Sequence, residues 1–141
     1  MRRTVIALVI SALALVGVLA ANAATARTVK FEIALKGTNE KPAAPASNKG
    51  KAELTLNTTT GKVCWEFKLA KIDGKPSQAH IHKGKAGVSG NIVVPLGANY
   101  KRQGCTSAAK SLVRSIAGHP AFYYVNVHNA KHPVGAMRGQ L

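Results

Sequence analysis

His80 and His82 stand two positions apart in a segment with strand character. Residues i and i+2 of a strand point to the same face, so these two imidazoles can coordinate one metal ion. His128 lies in a second β-prone segment, where Tyr124 and Asn126 share its face. If the two strands pack together, three neutral nitrogens with an open position predict a copper site, or less favourably a zinc site, at these histidines. The alternative, left open by the spacing, is that the histidines bond loop backbone or lie in solvent.

No set of nucleophile, base and orienting group stands out elsewhere in the chain. The five acidic residues all precede Gly74, and there is no Gly-x-Ser-x-Gly motif. A carboxylate pair suited to hydrolysis is therefore not predicted. We expect a non-enzymatic binding or adhesion module that acts outside the cytoplasm, and the alternative is a copper-binding or redox protein that uses the three histidines.

The two cysteines, Cys64 and Cys105, are too few for a four-cysteine zinc site. Neither has a second ligand at metal-site spacing. In an exported protein they predict one disulfide, which would tie the third strand to the loop before the helix. Two buried thiols are the alternative.

Residues 1–23 have the parts of a secretory signal peptide. A double arginine is followed by an apolar run over positions 5–20, which is short for a membrane-spanning helix, and a small-x-small cleavage site ends at Ala23. A second such site ends at Ala26, so two mature starts are open. No later segment is apolar enough to span a bilayer. The sequence therefore predicts a secreted or periplasmic protein without a transmembrane segment after cleavage.

The chain is strongly basic, with 20 lysine and arginine residues against five acidic ones and a formal net charge of +15. Cleavage after residue 23 removes two arginines and no acid, which leaves +13. Such an excess favours anionic partners in the cell envelope or outside the cell. The cations are mostly lysines spread along the chain, whereas nucleic-acid sites cluster arginine with aromatic residues. We therefore predict an anionic envelope or extracellular partner and no nucleic acid.

Period-2 alternation of apolar and polar residues dominates the rest of the chain. It predicts seven strands, at positions 29–36, 52–57, 63–69, 79–82, 92–96, 122–128 and 136–141. The alternation places the core on three faces, which are Phe31/Ile33/Leu35, Trp65/Phe67 and Val125/Val127.

A single helix is predicted over positions 107–117, with Ser107 as its cap and a loop over 97–106 before it. Because no strand–helix–strand unit recurs, a parallel α/β sheet is not expected. We predict one all-β domain over residues 29–141, preceded by a short tail at 24–28. Its architecture would be an antiparallel β-sandwich or barrel of about seven strands with one short helix.

Three blocks in order resemble the CHRD domain, a family named after chordin and found in many exported bacterial proteins. They are AHIHKGKAGVSG at 79–90, YYVNVH at 123–128 and PVGAMRGQL at 133–141. The resemblance covers residues 29–141. It implies a β-rich extracellular domain for which the family has no generally established enzymatic activity.

A weaker likeness concerns the copper/zinc superoxide dismutases. The order of His80, His82, His128 and an arginine followed by glycine resembles the copper-site residues of that family. The likeness implies that the three histidines are copper ligands and that Arg138 guides anions to the ion. No histidine lies between His82 and His119, so the bridging imidazole and the zinc loop have no counterparts. The other interpretation of Arg138 is a structural lock that binds loop carbonyls.

Overall fold

The computed structural model describes residues 27–141. The predicted signal peptide at 1–23, and most of the predicted tail at 24–28, lie outside the described residues. Within 27–141, no helix has both the length and the apolar character needed to cross a membrane.

The described chain forms eight β-strands and one α-helix. The strands are β1 (Thr28–Lys36), β2 (Lys49–Asn57), β3 (Lys62–Lys71), β4 (Pro76–Lys83), β5 (Asn91–Pro95), β6 (Gln103–Ser107), β7 (Tyr123–Asn129) and β8 (Met137–Gln140). Helix α1 (Lys110–Gly118) lies between β6 and β7, and short 3-10 turns occur at Gly37–Asn39 and Pro120–Phe122.

All strand pairs are antiparallel, and the strand order in the sheet is β5-β4-β7-β8-β1-β2-β3-β6. Consecutive strands β1, β2 and β3 pair as hairpins. The sheet curls into a nearly closed barrel around one hydrophobic core. The predicted all-β antiparallel architecture is confirmed.

The core lies where the period-2 pattern placed it. The predicted core residues that are buried are Ile33, Leu35, Trp65, Phe67, Val125 and Val127, while Phe31 is half-buried. Helix α1 packs Val113 and Ile116 against the same cluster. The three predicted faces, on β1, β3 and β7, therefore turn their apolar side chains inward.

Two local predictions were wrong, and both concern the chain before the helix. Residues 103–106, expected within a loop, form edge strand β6 together with Ser107, the expected helix cap, and this strand pairs with Lys62–Glu66 of β3. The segment QGCTS has no apolar alternation, so only the pairing with β3 reveals it as a strand. Because Ser107 belongs to β6, the helix begins at Lys110 and has no side-chain cap.

The predicted disulfide is confirmed. Cys64 of β3 and Cys105 of β6 are direct cross-strand partners joined by a disulfide bond. Cys105 lies in a strand rather than in the loop expected from the sequence. The bond therefore fastens the short edge strand to its neighbour.

Strands β4, β7 and β8 carry polar side chains on the face opposite the core. Register aligns His80 with Asn126 and Arg138, and His82 with Tyr124 and Gln140. Most of these side chains are buried although they point away from the core. Two segments cover them, residues 37–48 and residues 84–90, and we call the covered surface the polar face.

The C-terminal strand β8 is integral to the sheet, as its apolar make-up predicted. It lies between β7 and β1. A Cβ atom on Gly139 would overlap the Ala34 carbonyl oxygen of β1, so this position needs the close approach that glycine allows.

Trp65 provides a test of the core. Its ring is 5% exposed and its Nε1 donates to the Lys101 carbonyl oxygen at 3.0 Å. Trp65→Ala should lower the free energy of unfolding by about 3–5 kcal/mol, because it leaves a cavity. Denaturant titration measures this, with the exposed Phe122→Ala as control, for which we expect a change within about 0.5 kcal/mol. A near-neutral Trp65→Ala would show that the indole is not part of the core.

The disulfide provides a second test. Cys64→Ser/Cys105→Ser should lower the free energy of unfolding by about 2–4 kcal/mol, because the crosslink restricts the unfolded chain. Before reduction, the mass of the wild-type protein should be lower by two hydrogens than after it. Two thiols that react with a labelling reagent in the unreduced native protein would contradict the assignment.

Candidate metal centre

Two neighbouring strands bring the three predicted histidines together on the polar face. His80 and His82 lie on β4, and His128 lies opposite Gln78 of β4, on β7. One ligand atom from each imidazole lies within 4.8 Å of the other two. The condition set by the sequence, that the two strands pack together, is therefore met by direct pairing.

The closest contact in the cluster joins His80 Nδ1 and His128 Nε2, which are 3.1 Å apart. Nitrogens bound to one tetrahedral ion at ~2.0–2.1 Å lie about 3.3 Å from each other. His80 and His128 therefore already have the spacing of a ligand pair. Because the three ligand atoms lie within 4.8 Å of one another, His82 must move inward by up to about 1.5 Å to share the ion.

Backbone carbonyls orient two of the rings. His82 Nδ1 lies 2.9 Å from the Gly90 carbonyl oxygen, and His128 Nδ1 lies 3.0 Å from the Pro133 carbonyl oxygen. A carbonyl oxygen only accepts, so in each neutral ring the proton is on Nδ1 and the Nε2 lone pair is free. Carbonyl partners of this kind hold the ligating histidines of metal sites in place.

His82 Nε2 is buried and has no hydrogen-bond partner among the described residues. With the proton on Nδ1, this atom is an acceptor, and a buried acceptor without a partner costs free energy. A metal ion would supply the missing partner. The donor set of the three imidazoles fits such an ion.

Burial keeps the three rings neutral. Burial, together with the neighbouring His128 and His82, lowers the pKa of His80 to about 4. Burial also lowers the pKa of His82 and of His128 below the ordinary histidine value. Neutral imidazole is the form that binds metals, so at pH 7 no proton has to leave before an ion is bound.

Tyr124 separates the cluster from Arg138. Its ring stacks on His82, with centroids 4.8 Å apart and an interplanar angle of 8°. The Arg138 guanidinium lies 4.5 Å from the centroid of the same Tyr124 ring. The Tyr124 hydroxyl accepts a hydrogen bond from the Gly90 backbone N–H, so the loop that orients His82 also holds the tyrosine.

Arg138 binds both covering segments. Its Nε donates to the Asn39 carbonyl oxygen at 2.7 Å, and its Nη1 donates to the Val88 carbonyl oxygen at 3.0 Å. Its Nε also lies 3.4 Å from a carboxylate oxygen of Glu40, in a pair whose side chains are both almost fully buried. Burial raises the pKa of Glu40 to about 7, against the opposing effect of Arg138.

Sequence reasoning missed Glu40 and the carbonyl partners of the cluster. Glu40 lies in a loop without a recognisable motif, and a carbonyl oxygen has no signature in residue type. Tyr124 and Asn126 did have a signal, since they alternate with His128 along β7. The three histidines and Arg138 were predicted, and the structure places them on one covered face.

Comparisons with known proteins give one match. The model of the family described as CHRD domain matches residues 31–141. Neither the curated proteins nor the solved structures include a significant match. The family match spans all but the first few described residues and includes β4, β7 and β8, which carry the histidines and Arg138. The chain therefore belongs to the CHRD domain family.

Proposed function

We propose that this CHRD-domain protein is an exported binding protein that holds one transition-metal ion, preferably Cu(II), through His80, His82 and His128. The observation that carries the proposal is the buried Nε2 of His82, which lacks a hydrogen-bond partner within residues 27–141, in a ring that clusters with two other neutral imidazoles. Sites of this composition suit copper and zinc, and Cu(II) binds a given nitrogen site more tightly than Zn(II).

A purely structural role for the histidines explains fewer of their contacts than a metal site does. The contact between His80 and His128 would serve as a hydrogen bond inside a polar cluster. It leaves His82 Nε2 without a partner, and buried polar atoms usually have one. An ion shared by all three rings satisfies every inward-facing nitrogen.

Metal binding requires a change of tautomer at His80. In the metal-free cluster, His80 Nδ1 donates to the lone pair of His128 Nε2, whose ring is protonated on Nδ1. To ligate through Nδ1, His80 must carry its proton on Nε2 instead. This tautomer change keeps the ring neutral, so it adds no charge to the site.

Arg138 acts in this proposal as a structural lock rather than as an anion guide. Its Nε and Nη1 are both directed at loop carbonyls, and Tyr124 lies between the guanidinium and His82. An arginine with these contacts fastens the covering segments over the polar face. It has little freedom to attract anions to an ion at the histidines.

Three observations support export to a secreted or periplasmic location. They are the signal-like N-terminus, a disulfide of the kind that persists in oxidising compartments, and membership of a family typical of exported proteins. At that location the basic chain is exposed to anionic components of the envelope or the extracellular medium. We propose that it adheres to these components, and we call this its adhesion role.

The metal site is tested on metal-free protein without a histidine tag. Stoichiometric Cu(II) should raise the melting temperature, because an ion that binds only the folded state stabilises it by about 2.7 kcal/mol at 100 times Kd. His80→Ala and His82→Ala should each abolish the rise, while His119→Ala, an exposed histidine away from the cluster, should retain it. If neither Cu(II) nor Zn(II) shifts the melting temperature of the wild-type protein, the metal site is wrong.

The same assay separates the two roles of Arg138. Arg138→Met should lower the stability of the metal-free protein by about 3–5 kcal/mol, because Glu40 loses its buried partner. The rise with Cu(II) should persist in this variant. An unchanged melting temperature in Arg138→Met would contradict the lock.

Export is tested directly by the N-terminal residue of the recovered protein. When the full chain is expressed in a bacterium, the protein recovered from the periplasm or the medium should begin at Ala24 or Arg27, as read by N-terminal sequencing. Retention of residues 1–23 on a membrane-bound protein would support an uncleaved anchor instead.

A further inference from the structure

Five exposed lysines form two rows on the outer face of β1, β2 and β3. Register places Lys36 opposite Lys49 and Lys49 opposite Lys71, and it places Lys51 opposite Lys68 in the next row. All five side chains are exposed. We call this group the lysine face.

A row of acids lies directly beside the lysine face. Glu32, Glu53 and Glu66 are cross-strand partners across the same three strands. Charges of one sign are therefore collected in rows that run across the strands, and they do not alternate along each row. Among the residues that the structure describes, only Lys68 of the lysine face forms a salt bridge, with Glu53 at 2.7 Å.

Such rows are unfavourable for the protein alone. Strands lie about 4.7–4.9 Å apart, and like charges directly opposite each other on neighbouring strands destabilise a sheet. A surface needed only for solubility would intersperse charges of both signs. An anion laid along the lysine rows relieves the repulsion, so the arrangement favours a bound anion.

We infer that the lysine face binds a linear polyanion, which lies across β1, β2 and β3 with its anionic groups along the two lysine rows. This rests on the proposed adhesion role and gives it a surface and a class of partner. Lysine is a compact point charge without the planar fork of arginine. The surface therefore recognises closely spaced anionic groups, and its affinity depends on salt.

The acidic row favours a linear polymer over a membrane as the partner of the lysine face. A polymer that runs parallel to the rows contacts the lysines and leaves Glu32, Glu53 and Glu66 outside its path. A flat anionic bilayer laid on the same sheet would also meet this row. In the row, Glu53 and Glu66 are paired with Lys68 and Arg102, while Glu32 forms no salt bridge with a described residue and repels the bilayer. The geometry therefore favours a linear chain of anionic groups.

The test compares two triple variants with the same change in net charge. Lys36→Gln/Lys49→Gln/Lys71→Gln removes one row of the lysine face. The control, Lys62→Gln/Lys101→Gln/Lys110→Gln, removes three exposed lysines that lie outside the two rows. Binding of long-chain inorganic polyphosphate to the full exported protein is measured by calorimetry at several salt concentrations.

The row variant should lose about tenfold or more in affinity at low salt. The slope of log K against the logarithm of the salt concentration should be smaller in magnitude by about three than in the wild-type protein. The control variant should lose clearly less in both. The melting temperature of the row variant should not fall, because the substitutions remove repulsion, so that lost binding cannot be ascribed to unfolding.

Three results would overturn the inference, and they separate it from the adhesion role. Equal losses in the two triple variants would mean that total charge binds the polymer, so the adhesion role would stand and the lysine face would not. Failure of the wild-type protein to bind polyphosphate at low salt would remove both. Tighter binding to phosphatidylglycerol vesicles than to polyphosphate, lost in the row variant, would make the partner a membrane.

Discussion

Backbone carbonyl oxygens of the two covering segments and of the loop between β7 and β8 stabilise the polar face of β4, β7 and β8. His82 and His128 each donate from Nδ1 to one such oxygen, and Arg138 donates to two. A buried polar group without a partner is costly, so these few bonds make it feasible to cover a polar surface at all. The same bonds set the tautomer of two imidazoles. Covering the face and preparing the histidine cluster therefore depend on one set of interactions.

The glycine-rich segment 84–90 supplies two of these carbonyl oxygens, those of Val88 and Gly90. A Cβ atom on Gly90 would overlap the Lys83 carbonyl oxygen, and Gly87 has a φ of 78°, which side chains rarely adopt. Gly90 then accepts from His82 through its carbonyl and donates to the Tyr124 hydroxyl through its amide. The repeated glycines thus serve backbone geometry, which leaves the loop in contact with the cluster.

Charge is distributed unequally over the two surfaces for which we propose binding roles. Four of the five acids have a basic partner, in the pairs Glu40–Arg138, Glu53–Lys68, Glu66–Arg102 and Asp73–Lys131. Most of the lysines therefore have no acid to neutralise them, and on β1–β3 several of them stand in rows. The histidine cluster is buried and uncharged, which suits a bare cation, whereas the lysine face is exposed and cationic, which suits a hydrated polyanion.

Local periodicity was sufficient to predict seven strands, the core side of three of them, and the shared face of His80 and His82, because the side-chain period of a strand is a property of the strand itself. The cysteine count and the predicted export were sufficient for the disulfide. Strand β6 could not be predicted, since its polar residues become a strand only through pairing with β3. The tertiary structure alone decided that β7 pairs with β4 and so brings His128 to the cluster, and that Glu40 meets Arg138. These contacts join residues far apart in the chain, and no local pattern records which distant segments will be neighbours.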